Sequence, residues 1–474
     1  MPTTDGKPFA AQRLSEPAPC RTDVPRLVVA GVSSGVGKTT FVVGLVRALR
    51  ARGLKVAVFK CGPDYLDPTY HARAAERTSH NLDGWLMGRD AVVGTFLRAA
   101  KDSDIAIIEG VMGLFDGASA TADEGSTAEI AKWLRAPVML VIDASGMARS
   151  VAAIARGFAS FDSEVRLAGL ICNRVGSRSH LELLRKAACQ PPVLGGLPKN
   201  PSGSFPERHL GLRTADEHCA PEALLCSWGE MVGQWCDLDA ILALARSAGT
   251  VTAQPPLFPA PAAERKCTIG IAFDEAFHFY YEDNLARLAS AGAELVRFSP
   301  IHDHRLPPVD GIYIGGGYPE VYARELADNS SMRRDIAAFA AARGAIYAEC
   351  GGMMYLCSEL RTLDGAVYPM CGVLPARTRI CERLQALGYV EAETVRESIL
   401  GGAALRFRGH EFRYSTVETA GPVEPAFIVK RRRDARVEAQ GFQVRNTIAS
   451  YVHAHWASNP AIADSLVIKC RATG

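Results

Sequence analysis

The 474-residue chain lacks a charge excess of either sign: 53 lysines and arginines stand against 51 aspartates and glutamates, for a formal charge of +2. Its basic residues are not gathered into a stripe either, so there is no electrostatic footprint for nucleic acid, although a small anionic substrate is allowed. Cysteine occurs 13 times but never as a CxxC pair, and the odd count argues against a complete disulfide framework. Reduced thiols and a cytoplasmic location are expected. No charge-free apolar stretch reaches membrane-spanning length, so no membrane partner is expected. Residues 1–25 lack the apolar core of a signal peptide and read as a mobile leader. Internal repeats are absent. What remains, 48% hydrophobic and 22% charged, describes a globular chain too long for one ordinary core.

Short apolar runs recur at RLVVAG (26–31), KVAVFKCG (55–62), DIAIIEG (104–110), APVMLVID (136–143) and LAGLICN (167–173). Segments of helical spacing separate them, the first being TTFVVGLVRALRARG, which ends at Gly53. This alternation predicts an α/β fold with a parallel sheet covered on both faces. Proline and alanine concentrate in TVTAQPPLFPAPAAERK (250–266), and a second α/β series follows through CTIGIAF, AELVRFSP, GIYIGGGYPE and AIYAECGG. The expected division is a leader at 1–25, a first domain at 26–249, a linker at 250–266 and a second domain at 267–474.

GVSSGVGKTT, Gly31 to Thr40, joins a predicted strand to a predicted helix, the setting in which backbone N–H groups and a helix N-terminus hold phosphate. Gly35 and Gly37 would shape that loop, Lys38 would neutralise β- and γ-phosphate charge, and Thr39, followed by Thr40, would offer a hydroxyl to Mg²⁺. The glycine spacing departs by one residue from the common GxxxxGK[ST] form and resembles the deviant loop of dethiobiotin synthetase and the partitioning ATPases. Ser33 stands where many partitioning ATPases carry a second lysine, which weakens a switch reading. Asp64 and Glu109 fall at strand ends where they could reach the metal, with Asp67 and Asp116 as nearby alternatives or turn residues. Lys60 reads either as a phosphate ligand or as a solvated strand end. Asn173 could bind adenine through its amide or simply end a strand.

In YAECGGMMYL (347–356), Cys350 follows an apolar strand and precedes two glycines, as in a nucleophile elbow whose helix N-terminus would stabilise a thiolate. A packed cysteine is the plain alternative. Thiolate attack on a carboxamide needs an imidazole to hold and return the proton, and ASYVHAHWASNP supplies His453 and His455 on one face of a strand. Geometry alone does not choose between them. GIYIGGGYPE contributes N–H groups near Gly316 and Gly317 that, with Gly351, could form an oxyanion hole, unless it is only a glycine-rich turn.

Taken in order, KCGPDYLDPTYH, SHNLDGWLMG, EGVMGLFDG, GGGYPE, AECGGMMYL, RLQALGYVEA, RGHEFRYS and SYVHAHWASNP resemble the cobyrinic acid a,c-diamide synthase family over nearly the whole chain after the leader. The resemblance implies a dethiobiotin-synthetase-like ATP domain at 26–249 and a class I glutamine amidotransferase domain at 267–474. It implies a glutamine-hydrolysing ligase of cobalamin biosynthesis that uses ATP, glutamine and Mg²⁺. Such an enzyme amidates the a and c acetate side chains of cobyrinate or hydrogenobyrinate through acyl phosphates. It makes Cys350 the glutaminase nucleophile and His453 its base. His455 falls where many amidotransferases carry glutamate, so a Cys-His dyad is expected. Substrate contacts are expected from Tyr65, Asp67 and His71, with Arg377, Arg379, Arg408 and Arg413 as cationic candidates. KRRRD (430–434) reads as an exposed hairpin. A homodimer is compatible with the sequence. The competing functions are a cobyric acid synthase, which amidates other side chains, and a nucleotide-driven switch with a non-catalytic second domain.

Overall fold

The computed structural model describes residues 20–199, 221–253 and 264–473. Seven parallel strands form the first sheet, in the spatial order His80–Leu82, Val56–Cys61, Ile105–Glu109, Arg26–Gly31, Val138–Asp143, Leu167–Val175 and Val193–Pro198. Most of their residues are buried on both faces, which is why the sequence shows continuous Val, Ile and Ala runs rather than alternation. Helices cover both sides. At Gly44 the helix Lys38–Ala51 meets the backbone of the helix Glu222–Trp235, where an added Cβ would clash with the Trp228 carbonyl. The two edge strands, His80–Leu82 and Val193–Pro198, lie in segments whose short or glycine-interrupted apolar runs carry little strand signal.

The second half is built on a six-stranded sheet ordered Ala293–Phe298, Cys267–Ala272, Gly311–Ile314, Ala345–Glu349, Thr447–Ser450 and Phe442–Val444, parallel except for the last pair. Beside it lies a five-stranded antiparallel sheet, Val437–Gln440, Phe427–Arg431, Ala386–Thr394, Arg406–Arg413 and His453–His455. Because His453–His455 joins that sheet while Thr447–Ser450 joins the parallel one, residues 451–452 carry the chain from one sheet to the other. KRRRD does sit at a hairpin, between Phe427–Arg431 and Val437–Gln440, but Arg432 pairs with Glu124 of the first half instead of standing free.

Cys20–Thr22 pairs antiparallel with Val251–Ala253. A small sheet thus joins the last residues of the expected leader to the first of the expected linker. Residues 1–19 of that leader and 254–263 of that linker lie outside the described residues. Among the described residues no helix is long and apolar enough to cross a membrane.

Candidate active site

At the carboxyl edge of the seven-stranded sheet, Arg26–Gly31 runs through residues 32–37 into the helix Lys38–Ala51. Gly37 has φ of 92°, and a Cβ there would run into the Asn173 amide, so the position needs glycine for both reasons. Asn173 Nδ2 donates to the Val36 carbonyl at 2.8 Å and so ties the neighbouring strand to the loop. Gly35, with φ of 74°, has open space beside it. Lys38 folds back over the loop and donates to the Ser33 and Met112 carbonyls at 2.9 and 2.6 Å. Burial, and then the charge of Lys60, pull its pKa down to about 8. Thr39 Oγ1 donates to Glu109 Oε1 at 2.8 Å.

Glu109 is fully buried at the end of its strand and lies in register with Lys60 on the adjacent one. Lys60 Nζ reaches Glu109 Oε1 at 2.8 Å, Asp67 Oδ2 at 2.5 Å and the Gly110 carbonyl at 3.2 Å. It is therefore a buried ion-pair centre and not a solvated strand end. Burial opposes its charge most strongly, but Asp67, Glu109 and Asp64 together outweigh that and hold it protonated. Burial likewise opposes ionisation of Glu109, yet Lys60 and His71 keep its pKa low; Asp67 is pushed up to about 6 by burial and by Asp64. His71, fully buried, meets Glu109 Oε2 at 2.5 Å through Nε2. Asp67 and His71, read from sequence as substrate contacts, thus face inward and support Lys60 and Glu109. Asp64 Oδ1 accepts from the Leu66 and Asp67 N–H groups at 2.8 and 3.1 Å, and Asp116 Oδ2 accepts from Gly113 N–H at 2.8 Å. Among the described residues there is no group of three or more His, Cys, Asp or Glu side chains able to cage a metal. The adjacent Thr39 and Glu109 oxygens suit a cation such as Mg²⁺, which takes few protein ligands and completes its shell with phosphate and water.

The second constellation forms where Ala345–Glu349 ends. Cys350 has φ of 47° and ψ of −104° and starts the short helix Gly351–Leu356, a sharp strand-to-helix elbow. The expectation of a stabilised thiolate is not met: burial, and then Glu320, push the Cys350 thiol up to about 12. One six-residue helix does not offset that desolvation. Sγ points to the Phe412 carbonyl at 4.0 Å rather than to an imidazole. Gly317 N lies 3.0 Å from where a Cβ on Gly351 would sit, so Gly316, Gly317 and Gly351 line one small space beside the elbow. His453 borders the same space, since a Cβ on Gly316 would lie 3.3 Å from both of its ring nitrogens. Burial depresses the His453 pKa to about 3, leaving a neutral imidazole. His455, the alternative, accepts from Ala457 N–H at 3.3 Å and packs on Tyr281 at 4.5 Å, so it caps the turn that follows.

Two contributors escaped the sequence reading. His410, in register with His453 across the strand pair, stacks on it at 4.9 Å and 18°. The Tyr281 hydroxyl and His410 Nδ1 share a hydrogen bond at 3.0 Å. Their signal was confined to the quoted RGHEFRYS run for His410 and was absent for Tyr281. Of the arginines, Arg377 and Arg379 lie on the exposed face of their strand, Arg413 stacks on Tyr451 at 4.2 Å, and Arg408 packs over Trp85 and donates to its carbonyl at 2.8 Å.

Tyr65 joins the two constellations. It follows Asp64 in the first half, yet its ring stacks on Phe279 at 5.0 Å and lies 4.8 Å from Tyr281, 5.6 Å from His410 and 5.2 Å from His453, all in the second half. Tyr389 donates to Asp83 at 2.7 Å, and Thr95 and Arg98 both bond to the buried Asp283, which fixes the halves against each other.

Residues 27–212 match the family model described as the CobQ/CobB/MinD/ParA nucleotide binding domain, and residues 268–461 match the CobB/CobQ-like glutamine amidotransferase domain. The chain is 50% identical over 449 residues to the cobyrinate a,c-diamide synthase of Leptospira interrogans serovar copenhageni, covering 94% of this chain and 98% of that one. It is 49% identical to the same-named protein of Syntrophotalea carbinolica, covering 94% and 99%. It is 44% identical to the hydrogenobyrinate a,c-diamide synthase of Streptomyces coelicolor, covering 94% and 98%. With such identity over nearly its full length, and with both a nucleotide binding domain and a glutamine amidotransferase domain matched, the chain belongs to the cobyrinate and hydrogenobyrinate a,c-diamide synthase family.

Proposed function

We propose that this protein amidates the a and c acetate carboxylates of cobyrinate or hydrogenobyrinate, using ATP to activate each carboxylate and glutamine to supply the nitrogen. The observation that carries the reading is the placement of Tyr65, on the loop of Asp64 and Asp67, against His453 of the amidotransferase half. That contact supports a reading in which ammonia is released next to the segment that carries Asp64 and Asp67. The names of the similar proteins support the corrinoid substrate.

On this reading Cys350 attacks the glutamine carboxamide carbon as His453 takes the thiol proton, and the N–H groups around Gly316, Gly317 and Gly351 receive the oxyanion. Burial raises the thiol and lowers the imidazole, so both stand neutral in the free protein, and on this reading the proton transfer accompanies glutamine binding. The imidazolium then protonates departing ammonia, leaving a thioester that water hydrolyses to glutamate. At the other end a corrinoid carboxylate attacks the γ-phosphorus of ATP, the bond to the β,γ-bridging oxygen breaks and ADP leaves, and ammonia then displaces phosphate from the resulting acyl phosphate. Lys38 neutralises phosphate charge, while Lys60, held by Asp67 and Glu109, fixes the Glu109 carboxylate behind it. Thr39 and Glu109 would hold Mg²⁺, with Asp64 beside them, and the ion when bound neutralises the β- and γ-phosphate oxygens. Asn173 Nδ2 donates to the Val36 carbonyl and its Oδ1 accepts from Arg174 N–H, so it would meet the adenine edge through the second hydrogen of its amide nitrogen and the remaining lone pair of Oδ1, or after releasing Val36. The enzyme is assigned to the cytoplasm, and a homodimer is the assembly to test by light scattering.

The test is incubation with cobyrinate and, separately, hydrogenobyrinate, in the presence of ATP and glutamine, with the amidated positions read by fragmentation mass spectrometry. Two amides at a and c are expected. Amidation at other side chains would replace this reading by the cobyric acid synthase one, and ATP hydrolysis without any amide would replace it by the switch.

A further inference from the structure

Glu349, the residue immediately before Cys350, is the last residue of Ala345–Glu349 and is fully buried. A buried carboxylate is costly unless hydrogen-bonded; three donors hold this one, and burial still pushes its pKa up to about 7. The Tyr347 hydroxyl and the Ala454 N–H donate to Oε1 at 2.8 and 3.0 Å, and the Tyr313 hydroxyl donates to Oε2 at 3.0 Å. His453 Nδ1 lies 4.0 Å from Oε2 and is buried without a hydrogen-bond partner. His410 stacks on the ring at 4.9 Å and 18°, and Tyr65 lies tilted against it at 5.2 Å.

We infer that Glu349 is the positioning residue of the glutaminase: its carboxylate draws the Nδ1–H tautomer of His453 and so turns Nε2 toward the sulfur of Cys350. The inference rests on the glutaminase reading given above and replaces the Cys-His dyad by a three-membered arrangement. The acid comes from the nucleophile's own strand rather than from the position two residues after the histidine, where His455 is occupied as a cap. The strand ends at Glu349 and the chain turns sharply at Cys350, so the two side chains leave the backbone in different directions and can approach His453 from two sides. No proton leaves the carboxylate's partner during the reaction; the carboxylate balances the imidazolium that forms when the thiol proton is taken, and it keeps the ring in one tautomer.

The tautomer is read on the wild-type protein by ¹⁵N NMR of histidine-labelled chain, with His453 assigned by its loss in His453→Ala. Protonation at Nδ1 is expected, and protonation at Nε2 would overturn the inference without any variant having to fold. In parallel, Glu349→Gln should lower kcat for glutamine hydrolysis by about 10²–10⁴-fold with little change in KM, because an amide stabilises the imidazolium poorly and permits the wrong tautomer. Glu349→Asp should restore part of that loss. Tyr347→Phe, which removes one donor but keeps the charge, should cost less than tenfold. Unchanged kcat in Glu349→Gln, with ammonium-driven amidation showing an intact ATP half, would also overturn it. A wild-type chain with no glutaminase activity would instead sink the underlying reading.

Discussion

Replacing Gly316 by alanine should damage one half-reaction through a single contact. Gly316 does not adopt positive φ, so the backbone accepts alanine. The new Cβ, however, would sit 3.3 Å from both nitrogens of His453 and under 3.0 Å from Cε1 between them. Carbon contacts prefer about 3.5–4.0 Å, so the imidazole must retreat by on the order of 1 Å. His410 is stacked on it at 4.9 Å, which limits retreat to a slide or tilt that changes the angle at Nε2. A misplacement of this size in a proton-transferring group costs about 10²-fold in rate, or roughly 3 kcal/mol of barrier. We expect kcat for glutamine hydrolysis, followed by glutamate release, to fall by about that factor. Ammonium-driven amidation should stay within about twofold, since the nucleotide loop is untouched. Gly402→Ala, where nothing lies within 4 Å of the added Cβ, is the control and should alter neither. A Gly316→Ala protein with glutaminase activity within about threefold of wild type would refute the placement of His453 beside the oxyanion space.

Two further outcomes follow from the same geometry. With Lys38 near 8 in the free protein, well below an unperturbed lysine, it loses its charge as pH rises through that value, and a bound triphosphate should restore it. ATP binding should therefore weaken above pH 8 and take up nearly one proton at about pH 9, measured by calorimetry in two buffers of different ionisation enthalpy; zero uptake would contradict it. By linkage the depressed lysine opposes folding fully below pH 8, and that opposition fades between 8 and the unfolded value. Tyr65→Ala should open the space beside His453, so that amide formed per glutamine hydrolysed falls below about one half while hydrolysis continues; an unchanged ratio would remove Tyr65 from the coupling route.

The central strands of both parallel sheets were legible because strands buried on both faces need unbroken Val, Ile and Ala runs, as in IAIIE and VMLVID. The strands His80–Leu82 and Val193–Pro198 were not, being three residues long or broken by glycines. Lys38, Cys350 and the paired histidines stood out by residue type and motif. What the sequence could not show was partnership across it. Lys60 and Glu109 are 49 residues apart and meet only through strand register. Glu349 is separated by 104 residues from His453, and the chain's passage between two sheets at residues 451–452 is what brings them together. The thiol's raised pKa likewise depends on burial by distant segments, which a motif does not encode.

The most direct test of the account is Cys350→Ala assayed with corrinoid diacid and ATP, once with glutamine and once with ammonium. Amidation from glutamine should fall by at least about 10³-fold while amidation from ammonium proceeds at the wild-type rate. Loss of both in a folded variant, or survival of the glutamine-driven reaction, would contradict a division of labour in which one end of the molecule releases ammonia and the other consumes it.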